Sequence, residues 1–235
     1  MTNKQEMKLT VVDQSPVRKG GTSSDALRES VELATWVEKI GYSRYWVAEH
    51  HNSSSFSGTS PEILIGQIAA KTKHIRVGSG GVMLSHYSAL KVAEQFSVLD
   101  SFYPDRVDLG IGRAPGSDRR TAAALTYPRP TMDVYQDFPQ MVRDLADFLN
   151  GGIKEGNPLS GIVAHPGSQN NSSPHIWLLG SSDYSAKLAA EMGLPFSFAD
   201  FFGNTSEYGP QICNMYRNEF KPSSYLSEPL LNVGL

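Results

Sequence analysis

The feature that most constrains this chain is an alternation. Short apolar runs are each followed by a polar turn and then by a helix-length stretch with one apolar face. The runs are Leu9 to Val12, Tyr45 to Ala48, Ile75 to Ser79, Arg106 to Gly112, His175 to Leu179, Phe196 to Phe198 and Leu230 to Leu235. A run of this kind reads as a buried strand. Strands separated by helices require right-handed crossovers and a parallel sheet. An open doubly wound sheet and a (β/α)8 barrel both fit, and both gather chemistry at the carboxyl ends of their strands. Ser15, His50, Gly80, Arg113 and Ser181 fall at five successive strand ends, which favours a barrel mouth shared by all strands.

Between the strands, helical spacing places Leu27, Val31, Ala34 and Val37 on one face of a first helix that Gly41 closes. Ser60-Pro61-Glu62 is a helix start, with a capping serine and proline at the first helical position. A third helix runs from about Tyr87 to Ser101 on Ala89, Ala93, Phe96 and Leu99. A fourth carries Val134, Phe138, Met141, Leu145 and Phe148, with Pro139 in its first turn or kinking it. A helix opens at Ala186, and a sixth spans Thr205 to Phe220 with Tyr208, Ile212 and Met215 inward. The segment 151–175 is an irregular excursion rich in Gly, Ser, Asn and Pro, with room for a short hairpin around Gly161-Ile162-Val163. The 235 residues, 40% of them hydrophobic, suffice for one large core, and we read 1–235 as a single domain.

A net charge of −3 gives no reason to expect nucleic acid or an acidic membrane surface. The single cysteine, Cys213, excludes an internal disulfide and fits a reducing compartment. The polar Met1 to Lys8 lacks the apolar core of a signal peptide, and no apolar run has the length of a membrane span. The expectation is a cytoplasmic protein.

Three stretches carry candidate chemistry. Gly180-Ser181-Ser182-Asp183-Tyr184-Ser185 joins a strand to a helix start. First-turn amides and the positive end of the helix dipole favour an anion there, and the hydroxyls of Ser181, Ser182 and Ser185 add donors. The same residues also make an ordinary helix cap. Glu49-His50-His51 ends the second strand. Adjacent histidines on an extended segment point in opposite directions and converge poorly on one metal ion, so no metal site is expected. Either histidine is suited to proton transfer, and either also serves as a packed or solvated side chain. Gly78-Ser79-Gly80-Gly81 is a flexible turn or a place where a flat ligand meets bare backbone. Arg113 is a phosphate ligand or the surface partner of Asp118. No Ser-His-Asp order or nucleophile elbow appears.

In combination, Tyr45 to Asn52, Val77 to Leu84, Glu94 to Asp100, Arg106 to Arg113 and Leu178 to Leu194 resemble the bacterial luciferase-like, flavin-dependent monooxygenase family, over nearly the whole chain. The resemblance implies a TIM-like barrel with FMN, or a deazaflavin, at its carboxyl-end mouth. It implies His50 as the catalytic residue near the reactive edge of the flavin. It places Gly80-Gly81 where family members often have a non-proline cis peptide beneath the ring. It assigns the phosphate to Arg113, Gly180, Ser181, Ser182 and Ser185. Gly112 stands where the luciferases carry a reactive cysteine, so light emission is not implied. Reduced flavin from a separate reductase, oxygen and a small organic substrate are the implied reactants, and a homodimer is the implied assembly. Leu64, Ile65, Ile68 and Ala69, with Leu90 and Val92 on the next helix, spread over a wide arc that suggests a covering partner. The chain holds six βα units and the start of a seventh, so the expected barrel is incomplete. A flavin-binding or structural remnant without turnover is therefore the alternative reading.

Overall fold

The computed structural model describes residues 7–113, 118–128, 136–153, 155–167 and 172–235. Seven strands, β1 (Thr10–Asp13), β2 (Arg44–Val47), β3 (Arg76–Met83), β4 (Val107–Gly112), β5 (His175–Gly180), β6 (Phe196–Ala199) and β7 (Leu231–Gly234), pair in parallel in the order of the sequence. They form a nearly closed, incomplete TIM-like α/β barrel. Among the described residues β7 pairs with β6 and β1 with β2, and the two outer strands do not pair with each other. Around the sheet lie α1 (Ser23–Lys39), α2 (Pro61–Lys71), α3 (Ala89–Phe102), α4 (Arg119–Thr126), α5 (Phe138–Leu149), α6 (Asp183–Met192) and α7 (Thr205–Glu219).

Strand residues alternate between two cores. Tyr45, Val47, Val77, Leu109, Ile111, Ile176 and Leu178 point outward into one apolar cluster with the helices. The alternate residues fill the barrel interior in layers. At its amino end Asp108, fully buried, accepts from Arg44 Nε (3.0 Å), Arg76 Nε (2.9 Å) and Trp46 Nε1 (3.0 Å). Trp46 and Trp177 occupy the middle edge to face, with ring centroids 5.2 Å apart, and the Arg44 guanidinium lies over the Trp177 ring. Glycines make the room. A Cβ at Gly78 would sit 2.3 Å from the Asp108 carbonyl oxygen, and one at Gly80 would press on Trp46 Cβ at 3.1 Å.

Several local expectations change. The hairpin around Gly161-Ile162-Val163 is absent: these residues are turn and irregular chain. The inner face of α1 is Ala26, Ser30, Ala34 and Val37, so Leu27 faces out. Tyr208 is also outward, because α7 approaches the sheet at Gly209, where a Cβ would meet the Phe198 ring at 2.6 Å. Ser60 stands at the start of α2 but its hydroxyl makes no cap bond; Pro61 opens the helix as expected. Pro139 lies in the first turn of α5, and Val134 lies outside the described residues. Helix α4 was not anticipated; Asp118 starts it by accepting from the amides of Arg120 and Thr121.

The wide apolar arc of α2 is covered within the chain. Ile65, Ile68 and Ala69 are each 1% exposed in the cluster shared with α1, α3 and the sheet. These residues therefore supply no argument for a partner. The Asp108 cluster yields a direct prediction. Asp108→Ala leaves two largely buried guanidiniums without their counter-charge, and the expected loss is about 3–5 kcal/mol in a urea melt.

Candidate active site

The open end of the barrel holds a cavity of about 860 Å³, within the usual range for small-molecule sites. His50, Gly80, Gly81, Arg113, Gly180, Ser181, Ser182 and Ser185 all border it. Ser15 does not. It is buried beneath the mouth with a left-handed φ of 49°, held by its amide on Asp13 (2.8 Å) and by a hydroxyl bond from Ser30 (2.9 Å).

One end of the cavity suits an anion. Arg113, at the end of β4, lays its guanidinium 4.1 Å from the centroid of the Tyr184 ring in the first turn of α6. This stacking holds a positive charge beside the amino end of that helix. Asp118 is not its partner; it caps α4 and takes a bond from Asn52. Ser182 has the extended backbone of a helix cap, yet its hydroxyl makes no cap bond and is left for another acceptor or donor. Ser185 packs against bare backbone, since a Cβ at Gly180 would fall 2.3 Å from its hydroxyl oxygen. Asp183 turns outward to Lys187 (2.9 Å), keeping its charge paired on the surface.

The other end is set by β2 and β3. The peptide between Gly80 and Gly81 is cis. Both glycines answer first to the protein's own packing: Gly80 to Trp46 and Val12, Gly81 to the Gly110 carbonyl, 2.7 Å from where a Cβ would be. Gly112 faces open space. His50 is fixed by its amide on the Gly58 carbonyl (2.8 Å) and by stacking on Phe56 at 4.7 Å. Its Nδ1 is buried and has no hydrogen-bond partner among the described residues. Burial is the largest influence on its pKa and lowers it, the neighbouring His51 lowers it further, and Glu49 opposes them. Burial thus favours the neutral form of the imidazole. His51 faces elsewhere, with Nε2 2.6 Å from Glu49 Oε1.

Phe56, Tyr184 and Glu49 escaped the sequence reading as functional groups, as did Phe201 and Phe202, whose rings lie 4.7 Å apart at the rim. The aromatic pair directly after a strand was the available signal for the last two.

The chain belongs to the luciferase-like monooxygenase family, whose model matches residues 7–217. A luciferase-like monooxygenase of Escherichia coli K12 is 42% identical over 233 residues, covering 99% of this chain and 66% of that protein. The solved structure of apo-MsnO8 superposes with a TM-score of 0.87 at 41% identity, covering 97% of this chain and 65% of that one. This chain thus spans about two thirds of the length of such relatives. Two more distant structures share the fold. One is the oxygenating constituent of 3,6-diketocamphane monooxygenase from Pseudomonas putida, in complex with FMN (TM-score 0.74, 17% identity, covering 93% of this chain and 65% of that one). The other is an F420-dependent secondary alcohol dehydrogenase with an F420-acetone adduct (TM-score 0.64, 16% identity, covering 97% and 68%).

The lowered His50 pKa has a consequence for stability. The unfolded chain binds the proton more readily than the folded one, so stability from this residue is full above the ordinary value of 6.5 and is lost as pH falls below it. The His50 ring should titrate below 6.5 by NMR. His50→Gln should flatten the decline of the urea midpoint on the acid side.

Proposed function

We propose that the chain is an FMN-dependent monooxygenase that oxidises a small organic substrate with reduced flavin and oxygen. The observation that carries this reading is the two-ended cavity. A stacked arginine, a serine hydroxyl with no cap bond and a helix start lie at one end, and a half-buried histidine and glycine backbone lie at the other. The FMN complex of a barrel with the same fold supports it. Bound flavin, once reduced, supplies the electrons that activate oxygen. Arg113, with the hydroxyls of Ser181, Ser182 and Ser185 and the α6 amides, holds the phosphate. Gly80, Gly81 and Gly180 border the cavity and present backbone to the ring and its chain. Phe201 and Phe202 shield the mouth and exclude water. His50, whose side chain borders the cavity, moves a proton there. Reduced flavin comes from a separate reductase.

Among the described residues β1 and β7 do not pair with each other, and this open seam favours a second reading, a flavin binder without turnover. A yellow complex with no flavin-dependent oxygen consumption would select it. The absorbance spectrum of the chain titrated with FMN, riboflavin and F420 tests the cofactor. Arg113→Ala should weaken FMN by about 1.5–3 kcal/mol and leave riboflavin, which lacks the phosphate, nearly unchanged. Equal weakening of both would remove Arg113 from the phosphate end.

The proposed homodimer rests on the apolar side chains that α2 and α3 leave outside: Ile63 (65% exposed), Val98 (43%) and Phe102 (74%). Sedimentation at micromolar protein should give twice the 25.7 kDa chain mass, and Ile63→Asp should return the monomer. A wild-type chain that sediments as a monomer overturns the dimer.

A further inference from the structure

We propose that Glu49 is a positioning residue for the ring end of the cavity, tying the strand end that carries His50 to the strand end that carries Gly80 and Gly81. The proposal rests on the flavin reading for its ligand, while the tie itself is a property of the chain. Glu49 directly precedes His50, borders the cavity and is only 2% exposed.

The β2–β3 ladder ends where Val47 lies opposite Ser79, and the β3–β4 register shifts between Gly80 and Val82. Residues 80–83 therefore lie beyond the regular pairing that positions the rest of β3 against β2. Glu49 reaches across this gap. Its Oε2 accepts from the amide of Met83 at 3.0 Å. Its Oε1 accepts from the Tyr87 hydroxyl at 2.6 Å and lies 2.6 Å from His51 Nε2. Tyr87 Oη and His51 Nε2 are themselves 3.3 Å apart, so the carboxylate is enclosed by donors from three segments. Burial, and then the Glu49 charge, hold the Tyr87 phenol protonated, which keeps it a donor. A buried carboxylate is tolerated only when its acceptor sites are filled in this way. The bond to Met83 substitutes for the missing ladder and fixes the Gly80-Gly81 backbone relative to His50.

The tie acts at the ring end, so its loss should weaken FMN and riboflavin alike, in contrast to Arg113→Ala. Glu49→Ala is expected to reduce affinity for both by about tenfold or more and to change the visible circular dichroism of the bound flavin. Glu49→Gln, which keeps an acceptor oxygen for Met83, is expected to recover most of that loss. In the ligand-free chain, Glu49→Ala should speed hydrogen exchange at the Met83 amide and leave the Val77 and Ser79 amides of the ladder unchanged. If Glu49→Ala does not fold, Tyr87→Phe takes its place, with a smaller loss for both flavins and the same change in dichroism. Unchanged affinities and dichroism, or weakening of FMN alone, overturn the proposal. If the wild-type chain binds neither flavin, the flavin reading falls, and exchange at Met83 still decides the tie: slow exchange that survives Glu49→Ala overturns it.

Discussion

The carboxylate of Asp108 is the contact on which the barrel interior depends. A parallel barrel must satisfy an inner surface as well as the outer one covered by helices, and β2, β3 and β4 bring Arg44, Arg76 and Trp46 to the same point. Asp108 neutralises the two guanidiniums and takes the indole N–H, so one buried charge fixes three side chains. The two tryptophans then fill the middle of the barrel. The bulk of Trp46 is accommodated in part by Gly80 on β3, where a Cβ would press on it at 3.1 Å. Bulk below and glycine above leave the free volume at the carboxyl end, where loops and helix starts supply the polar groups.

This division explains why charge is separated within the cavity. Among the described residues, the guanidinium at the mouth, that of Arg113, is held by an aromatic ring rather than by a carboxylate, so its charge stays available for an anion. Glu49, the carboxylate at the opposite side, is saturated by protein donors and presents little free acceptor capacity to a ligand. An arginine neutralised by Asp118, or a Glu49 left unpaired, would have reversed the preference of each end.

Much of the fold was legible because the strand runs and the helical spacing are strong local signals. Six of the seven expected strands form within a residue or two of their expected limits, and β3 runs four residues past Ser79 to Met83. Of the residues singled out at or just after the strand ends, all but the buried Ser15 border one cavity, because a parallel barrel sends every strand end to the same face. What stayed hidden depends on contacts between distant segments. Tyr87 reads as the start of a helix, yet it stands just before the Ser88 cap of α3 and bonds to Glu49, 38 residues away in sequence. Leu27 and Tyr208 fit a helical period but fall on the outer side, since small residues, Ala26 and Gly209, are what the closest approach of a helix selects. The arc on α2 shows the same limit: periodicity measures how wide an apolar face is, and only the packed structure shows whether neighbours within the chain already cover it.

The position of the histidine follows from the same economy of contacts. His50 sits on a segment whose backbone is held by Gly58 and whose ring is held by Phe56, and neither contact uses its ring nitrogens. His51, one residue on, faces the other way and is engaged by Glu49. Two adjacent histidines are thus separated by strand geometry into one that completes a buried hydrogen-bonded cluster and one that keeps a buried nitrogen unengaged. Exchange of these roles would require a rotation of the backbone that the Gly58 and Met83 bonds oppose. Of the pair, His51 takes part in the Glu49 cluster that fixes the strand end, and His50 projects from that end to the border of the cavity.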